Sequence, residues 1–279
     1  MIKLPFKLLI YDIETGLLKA NLFRLGEQQI RHNQLDAAHK ANSIICIAAK
    51  WYGEKKVTVF EGGNCVEEFD KLARQADVCL GKNSDRFDVK YINTARMMQG
   101  LAPYPEWMDT NEDLEKQLRK HFAFPSQSLD YISTLMGFGG KEHMEFQDWV
   151  DISNYKVLQQ LGKKTSTNTA FVLFRQTARQ VEQKGRQALK KMIHYNKKDV
   201  LDTEAVLIQV LPYIRLKHNA SNKTGCVTCG STQLVPTKMI TKGQTRYQQF
   251  DCLEHDGYGG KATVKYDKNR HKVYGSMQQ

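Results

Sequence analysis

Proline is scarce, at 6 of 279 residues, glycine is unexceptional at 19, and no apolar run approaches the length of a membrane span. These counts exclude collagen-like and low-complexity chains, and an ordinary charged fraction of 25% speaks against a disordered composition. Near the start, Leu8-Leu9-Ile10-Tyr11 is interrupted by Asp12. That run is far short of the ~20 residues a spanning helix needs, and of the roughly 7–15 in the apolar centre of a secretory signal. A cytoplasmic protein is expected, with no membrane partner. Cysteine is sparse as well. Cys46, Cys65 and Cys79 lie among Ile, Val and Leu and read as small buried apolar residues in a reducing compartment.

What the chain does have is length and positive charge. Chains near 300 residues hide about three-quarters of their unfolded surface, so a large core is available. The length suits one large domain, or a domain with an appended module. Lys and Arg number 41 against 30 Asp and Glu, a net charge of +11, which points to a polyanionic partner, nucleic acid foremost. The surplus is uneven. Residues 213–279 hold 11 basic and 4 acidic residues, against 30 and 26 in residues 1–212.

Residues 6–13 form an apolar run ending in Asp-Ile-Glu-Thr-Gly, which predicts a buried central strand. Ser43–Tyr52 and Lys56–Phe60, rich in Ile and Val around Gly53-Glu54-Lys55, predict a hairpin. Val66–Gln75 and Asp85–Met98 have helical spacing, with Val78-Cys79-Leu80 a short strand between them. Asn111–His121, Ser126–Leu135 (capped by Ser126), Asn168–Ile193 and Asn196–Ile214 are read as further helices. The polar stretch His218–Thr224 reads as a linker, dividing the chain into residues 1–214 and 222–279. This order of elements predicts an α/β layered domain with a mixed sheet.

Asp12 and Glu14 lie two apart at the end of the first strand, so alternation sends both to one face. Two carboxylates so placed repel each other unless a cation lies between them. Hard oxygen donors of this kind suit Mg²⁺ or Mn²⁺. Asp88 follows a buried strand, and Asp199 stands at the head of a predicted helix, making four acidic residues at element ends.

These segments resemble the DEDD superfamily of 3′–5′ exonucleases. Ile10-Tyr11-Asp12-Ile13-Glu14-Thr15-Gly16 looks like its first motif and Asn83-x-x-x-Phe87-Asp88 like its second. Tyr195-Asn196-Lys197-Lys198-Asp199-Val200 looks like its third, in the Tyr-x-x-x-Asp form of family-B DNA polymerase proofreading domains. Asp109-Thr110, and Ser128-Leu129-Asp130-Tyr131 followed by Gly137 and Lys141, are similar to the segments between motifs. The likeness spans about residues 5–214. It implies an RNase H-like fold, a mixed five-stranded sheet flanked by helices. It also implies two Mg²⁺ or Mn²⁺ ions held by Asp12, Glu14, Asp88 and Asp199, with Asp12 bridging both. Thr15, Asn83, Phe87 and Lys141 become candidate substrate contacts.

The resemblance also implies a residue beside the attacking water, which would be Tyr195, four before Asp199, or His194, five before it. On a continuous helix four residues return to within about 40° of the starting face, while five stand about 140° away. That geometry favours Tyr195 only if the helix includes it. A phenol, ordinarily titrating near pH ~10, suits orienting the water better than deprotonating it. Phe171, Phe174 and the basic series Lys184, Arg186, Lys190 and Lys191 suit either strand contact or a helix core with a solvated face.

In the basic tail, Cys226-x-x-Cys229-Gly230 is followed by Cys252-x-x-His255. Three sulfurs and one imidazole satisfy tetrahedral Zn²⁺ with no open position, which makes the site structural. His271 and His218 are alternatives to His255 as the fourth ligand. With Gln233–Ile240 and Thr245–Phe250 read as strands, the segment resembles a zinc ribbon. So small a module would couple folding to metal binding. Its charge and Tyr247, Tyr258, Tyr266 and Tyr274 suit single strands, by phosphate contact and base stacking.

The expected function is metal-dependent hydrolysis from the 3′ end of single-stranded nucleic acid, DNA favoured, in bacterial or phage-infected cytoplasm, any proofreading role requiring a separate polymerase. The alternatives are the same chemistry on RNA and a non-catalytic nucleic-acid-binding accessory protein of a replication or repair complex.

Overall fold

The fold is a computed structural model, which describes residues 4, 6–18, 20, 29–35, 43–105, 107, 110–138, 143–161, 170–214, 216, 234–242, 245–253, 261–265 and 274–275. Alternate residues of β1 (Leu8–Thr15) face opposite sides of a sheet, and both sides are covered. Leu9, Tyr11 and Ile13 enter one core. They meet Val66 and Phe69 of α1 (Cys65–Ala73), Val89 and Ile92 of α2 (Asp88–Met98), and Trp107. Leu8 and Ile10 enter a second core. It includes Leu114 and Leu118 of α3 (Leu114–His121), Ile132 of α4 (Leu129–Leu135), and Val200, Val206 and Leu207 of α6 (Ala170–Val210). Burial on both faces explains why β1 reads as a nearly unbroken apolar run. Each such Leu or Ile contributes about 1.5–3 kcal/mol.

The hairpin of β2 (Ile44–Trp51) and β3 (Val57–Glu61) forms as expected, with Gly53 at φ 81° in its turn. β2 pairs antiparallel with one edge of β1, and β4 (Val78–Gly81) pairs parallel with the other. β5 (Asn111–Asp113) completes a sheet of order β3-β2-β1-β4-β5. Counting α5 (Phe146–Leu161), six helices flank this mixed five-stranded sheet among the described residues.

Three local expectations are corrected, and one helix was not foreseen. Asn111–Asp113 is a strand paired with β4 rather than the first turn of a helix. Its three polar side chains are buried by hydrogen bonding, which leaves no hydropathy pattern. The helix begins at Leu114, where the Asp113 carboxylate accepts from the Glu115 N–H. α4 is capped by Ser128, whose hydroxyl accepts from the Tyr131 N–H at 3.2 Å, not by Ser126. Residues expected to form two helices around Asn196 are one, α6, of 41 residues. α5 had no counterpart in the hydropathy pattern.

Nearer the C-terminus, β6 (Leu234–Lys242), β7 (Thr245–Cys252), β8 (Lys261–Lys265) and β9 (Tyr274–Gly275) form an antiparallel sheet in sequence order. The first two match the expected strands. The linker at residues 218–224 lies outside the described residues. No helix among the described residues is long and apolar enough to cross a membrane.

Candidate metal centre

Strand parity brings the acidic residues together. Asp12 and Glu14 share the parity of Leu8 and Ile10, the face covered by α6. Asp199 lies on α6 directly before Val200, which is fully buried in that same core. Asp12, Glu14 and Asp199 each offer a carboxylate oxygen, and the three oxygens lie within 4.8 Å of one another. Asp199 is buried, and the other two are partly exposed. Three carboxylates this close repel one another unless positive charge enters. A set of hard oxygen donors fits Mg²⁺ or Mn²⁺.

Asp88 approaches the same stretch of β1 from α2. It is only 2% exposed, and its Oδ1 accepts from the backbone N–H of Ile13 at 3.1 Å, midway between Asp12 and Glu14 in the chain. Burial pushes its carboxyl up to about 7, against the stabilising pull of backbone N–H groups from Asp88 and Ile13; Asp113 raises it further. Asp88 is not part of the three-oxygen cluster.

Beside the cluster, Asn196 donates from Nδ2 to Asp12 Oδ2 at 2.7 Å. The Cys46 thiol donates to Asn196 Oδ1 at 3.6 Å. Cys46 stands opposite Glu14 in the β1–β2 ladder, hence on the same face. Burial above all, then the charges of Glu14 and Asp12, holds this thiol far above its ordinary range. Sequence reasoning missed Asn196 as a site residue. The available signal was an amide three residues before Asp199, on the packed side of an otherwise apolar helix face.

α6 is continuous through residues 194–199, so His194 and Tyr195 both lie on the helix that carries Asp199. Tyr195 is 9% exposed and packs with Ile45, Cys46, Ile152, Ala188 and Met192, whereas His194 is exposed.

Of the candidate substrate contacts, Thr15, Asn83 and Phe87 lie among the described residues. Thr15 ends β1, beyond the register shift that follows Glu14. Asn83 has φ 59°, and its N–H donates to Asp113 Oδ1 at 2.9 Å. Phe87 precedes α2, with its ring 4.5 Å from that of Tyr91. Lys141 and Asp109 lie outside the described residues. A polar network linking β1, β5 and residues 84–85 was not foreseen. Tyr11 Oη donates to Asn111 Oδ1 at 2.7 Å, and Asn111 Nδ2 donates to Ser84 Oγ and Asp85 Oδ1.

Of the expected zinc ligands, Cys252 is the last residue of β7, opposite Leu234. Cys226, Cys229 and His255, with the alternatives His218 and His271, lie outside the described residues.

No family model matches the sequence, and no curated protein does. Among solved structures, the family B DNA polymerase from the hyperthermophilic archaeon Pyrobaculum calidifontis is similar at 15% identity and a TM-score of 0.45, over 75% of this chain and 25% of that one. The chain therefore spans a quarter of the polymerase's length.

Proposed function

We propose that the chain is a metal-dependent 3′–5′ exonuclease with an RNase H-like DEDD domain in residues 1–214, of the tyrosine subclass, acting on single-stranded nucleic acid, DNA favoured. The observation that carries this reading is the meeting of Asp12, Glu14 and Asp199 oxygens within 4.8 Å of one another, from one strand and one helix. Two divalent cations bound there would supply an activated water and stabilise the leaving oxygen of a phosphodiester. Asp12, Glu14 and Asp199 are the residues to hold them, with Asp88 supporting from α2. Tyr195, one helical turn before Asp199, orients the attacking water through its phenol. Thr15, Asn83, Phe87 and Lys141 position the strand end. Residues 222–279 act as a zinc ribbon that holds one structural Zn²⁺ through Cys226, Cys229, Cys252 and His255 and binds the strand through its basic surface. A polymerase or another replication protein would be the partner in any proofreading role.

The test is digestion of matched DNA and RNA oligonucleotides, labelled at the 5′ or the 3′ end, with and without Mg²⁺ or Mn²⁺. Mononucleotides leaving the 3′ end of single-stranded DNA, only with the cation and not in Asp12→Ala, are expected. Normal turnover by Asp12→Ala rejects the mechanism. Faster loss of RNA transfers it to that substrate. Metal analysis is expected to return one zinc per chain, lost in Cys252→Ser.

A further inference from the structure

Asn196 belongs to none of the cation-holding carboxylates, yet it is fully buried and its side chain joins the central strand to its neighbour. A buried amide needs partners at both ends. Here the two ends face groups of opposite demand. The carboxylate of Asp12 on β1 accepts, and the thiol of Cys46 on β2 donates. An amide carries a donor group at one end and an acceptor at the other, which meets both demands. Aspartate at this position would present two acceptors, and leucine neither.

The thiol therefore does more than fill space. Because it donates to Oδ1, it leaves the NH₂ end of Asn196 turned toward Asp12. Asn196 also stands three residues before Asp199, about 60° away around α6. One helical turn thus supplies one carboxylate of the cluster and the hydrogen bond that holds another. A full positive charge on Asp12 would compete with an incoming cation, while a neutral amide holds the carboxylate without neutralising it.

We propose that Asn196 is a positioning residue: its Nδ2–H bond fixes the Asp12 carboxylate for cation capture, and the Cys46 thiol fixes which end of the amide faces it. This inference rests on the cation-binding reading above. Partners that orient metal ligands are commonly worth 10–100-fold in affinity or activity, which sets the expected effect at about that size.

The experiment titrates the full chain with Mn²⁺ alone, without nucleic acid, following the free ion by electron paramagnetic resonance. Wild type, Asp12→Ala, Asn196→Leu, Cys46→Ala and Cys46→Ser are compared, and each is melted in EDTA to verify folding. Asn196→Leu is expected to melt near wild type and to bind Mn²⁺ about 10–100-fold more weakly. Cys46→Ala weakens binding less, and Cys46→Ser, whose hydroxyl still donates, restores it. A folded Asn196→Leu chain with unchanged affinity overturns the proposal. If that variant does not fold, a Cys46→Ala chain that binds like wild type overturns it instead, and weakening that Cys46→Ser restores supports it. Wild type binding Mn²⁺ no better than Asp12→Ala is a different result, which removes the cation reading itself and this inference with it.

Discussion

Asp88 Oδ1 accepts a hydrogen bond from the Ile13 N–H, so a carboxylate carried by α2 is anchored to the backbone between the two carboxylates of β1. The bond is one of the few compensations Asp88 has for near-complete burial. It ties the position of α2 to the strand that presents Asp12 and Glu14.

A pH dependence of stability follows from that burial. The Asp88 carboxyl is pushed up to about 7 in the fold, against about 3.9 for an unfolded aspartate. Between those values the folded chain holds a proton that the unfolded chain has lost, so stability falls as pH rises from about 4 to 7. Asp113 is raised as well, burial again first among the causes, and adds in the same direction. Thermal melts in EDTA at pH 5 and pH 7.5 are expected to show the lower midpoint at pH 7.5. Asp88→Asn is expected to flatten the difference. A cation that favours the ionised form reverses the trend, so the stabilisation by Mn²⁺ grows with pH.

The thiols of Cys46, Cys65 and Cys79 are expected to be chemically silent in the native state. Cys46, Cys65 and Cys79 are buried and free, and burial leads the causes that raise all three, Cys79 to about 12. The thiolate is the reactive form, so a buried neutral thiol resists alkylation. Iodoacetamide at pH 8 followed by mass mapping is expected to leave these three unmodified until denaturant is added. Rapid native labelling of Cys46 contradicts its place behind Asn196.

Hydropathy and spacing made much of the frame legible. β1 to β4 announce themselves because both faces of the sheet are apolar, and Asp12, Glu14 and Asp199 stand out as carboxylates where such runs end. β5 does not, since Asn111, Glu112 and Asp113 are buried through hydrogen bonds from Tyr11, from Gln117 and from the backbone N–H groups of Asn83 and Asp85. Apart from Gln117, five residues from Glu112, these partners are distant in sequence and leave no periodic trace. The same holds for Asn196, whose partners are 184 and 150 residues away. The continuity of α6 was hidden by the polar run Asn196-Lys197-Lys198-Asp199, which imitates a helix start and is in fact the packed site.

Glu204 of α6 offers a test of how that helix is tethered to the sheet. Its carboxylate pairs with Lys50 of β2 and accepts from the Gly53 N–H at 2.8 Å, with both charged groups largely buried. Removing one member of a buried pair strands the other and costs about 3–5 kcal/mol, whereas replacing both with apolar residues is often neutral. Lys50→Met and Glu204→Leu are each expected to destabilise by that order in urea unfolding, and the double variant by much less than their sum. Additive losses show that the two charges act separately.

At Gly185, α6 packs tightly against α5. A Cβ built there falls 2.2 Å from Tyr155 Cβ, 2.8 Å from its Cγ and 3.0 Å from the Asp151 carbonyl oxygen. Two of these atoms are fixed to the α5 backbone, so no rotamer change relieves the contact and the helices must separate. Alanine favours a helix over glycine by about 1 kcal/mol, while overpacking costs about 1–3 kcal/mol, so the net sign depends on whether α5 yields. At 2.2 Å the clash outweighs the propensity, and Gly185→Ala is expected to lower the denaturation midpoint. α6 also carries Tyr195, Asn196 and Asp199 ten to fourteen residues further on. Displacing it is therefore expected to weaken Mn²⁺ binding along with stability. A Gly185→Ala chain more stable than wild type means that α5 moves aside freely and that the helix pair does not set the register of α6 against the sheet.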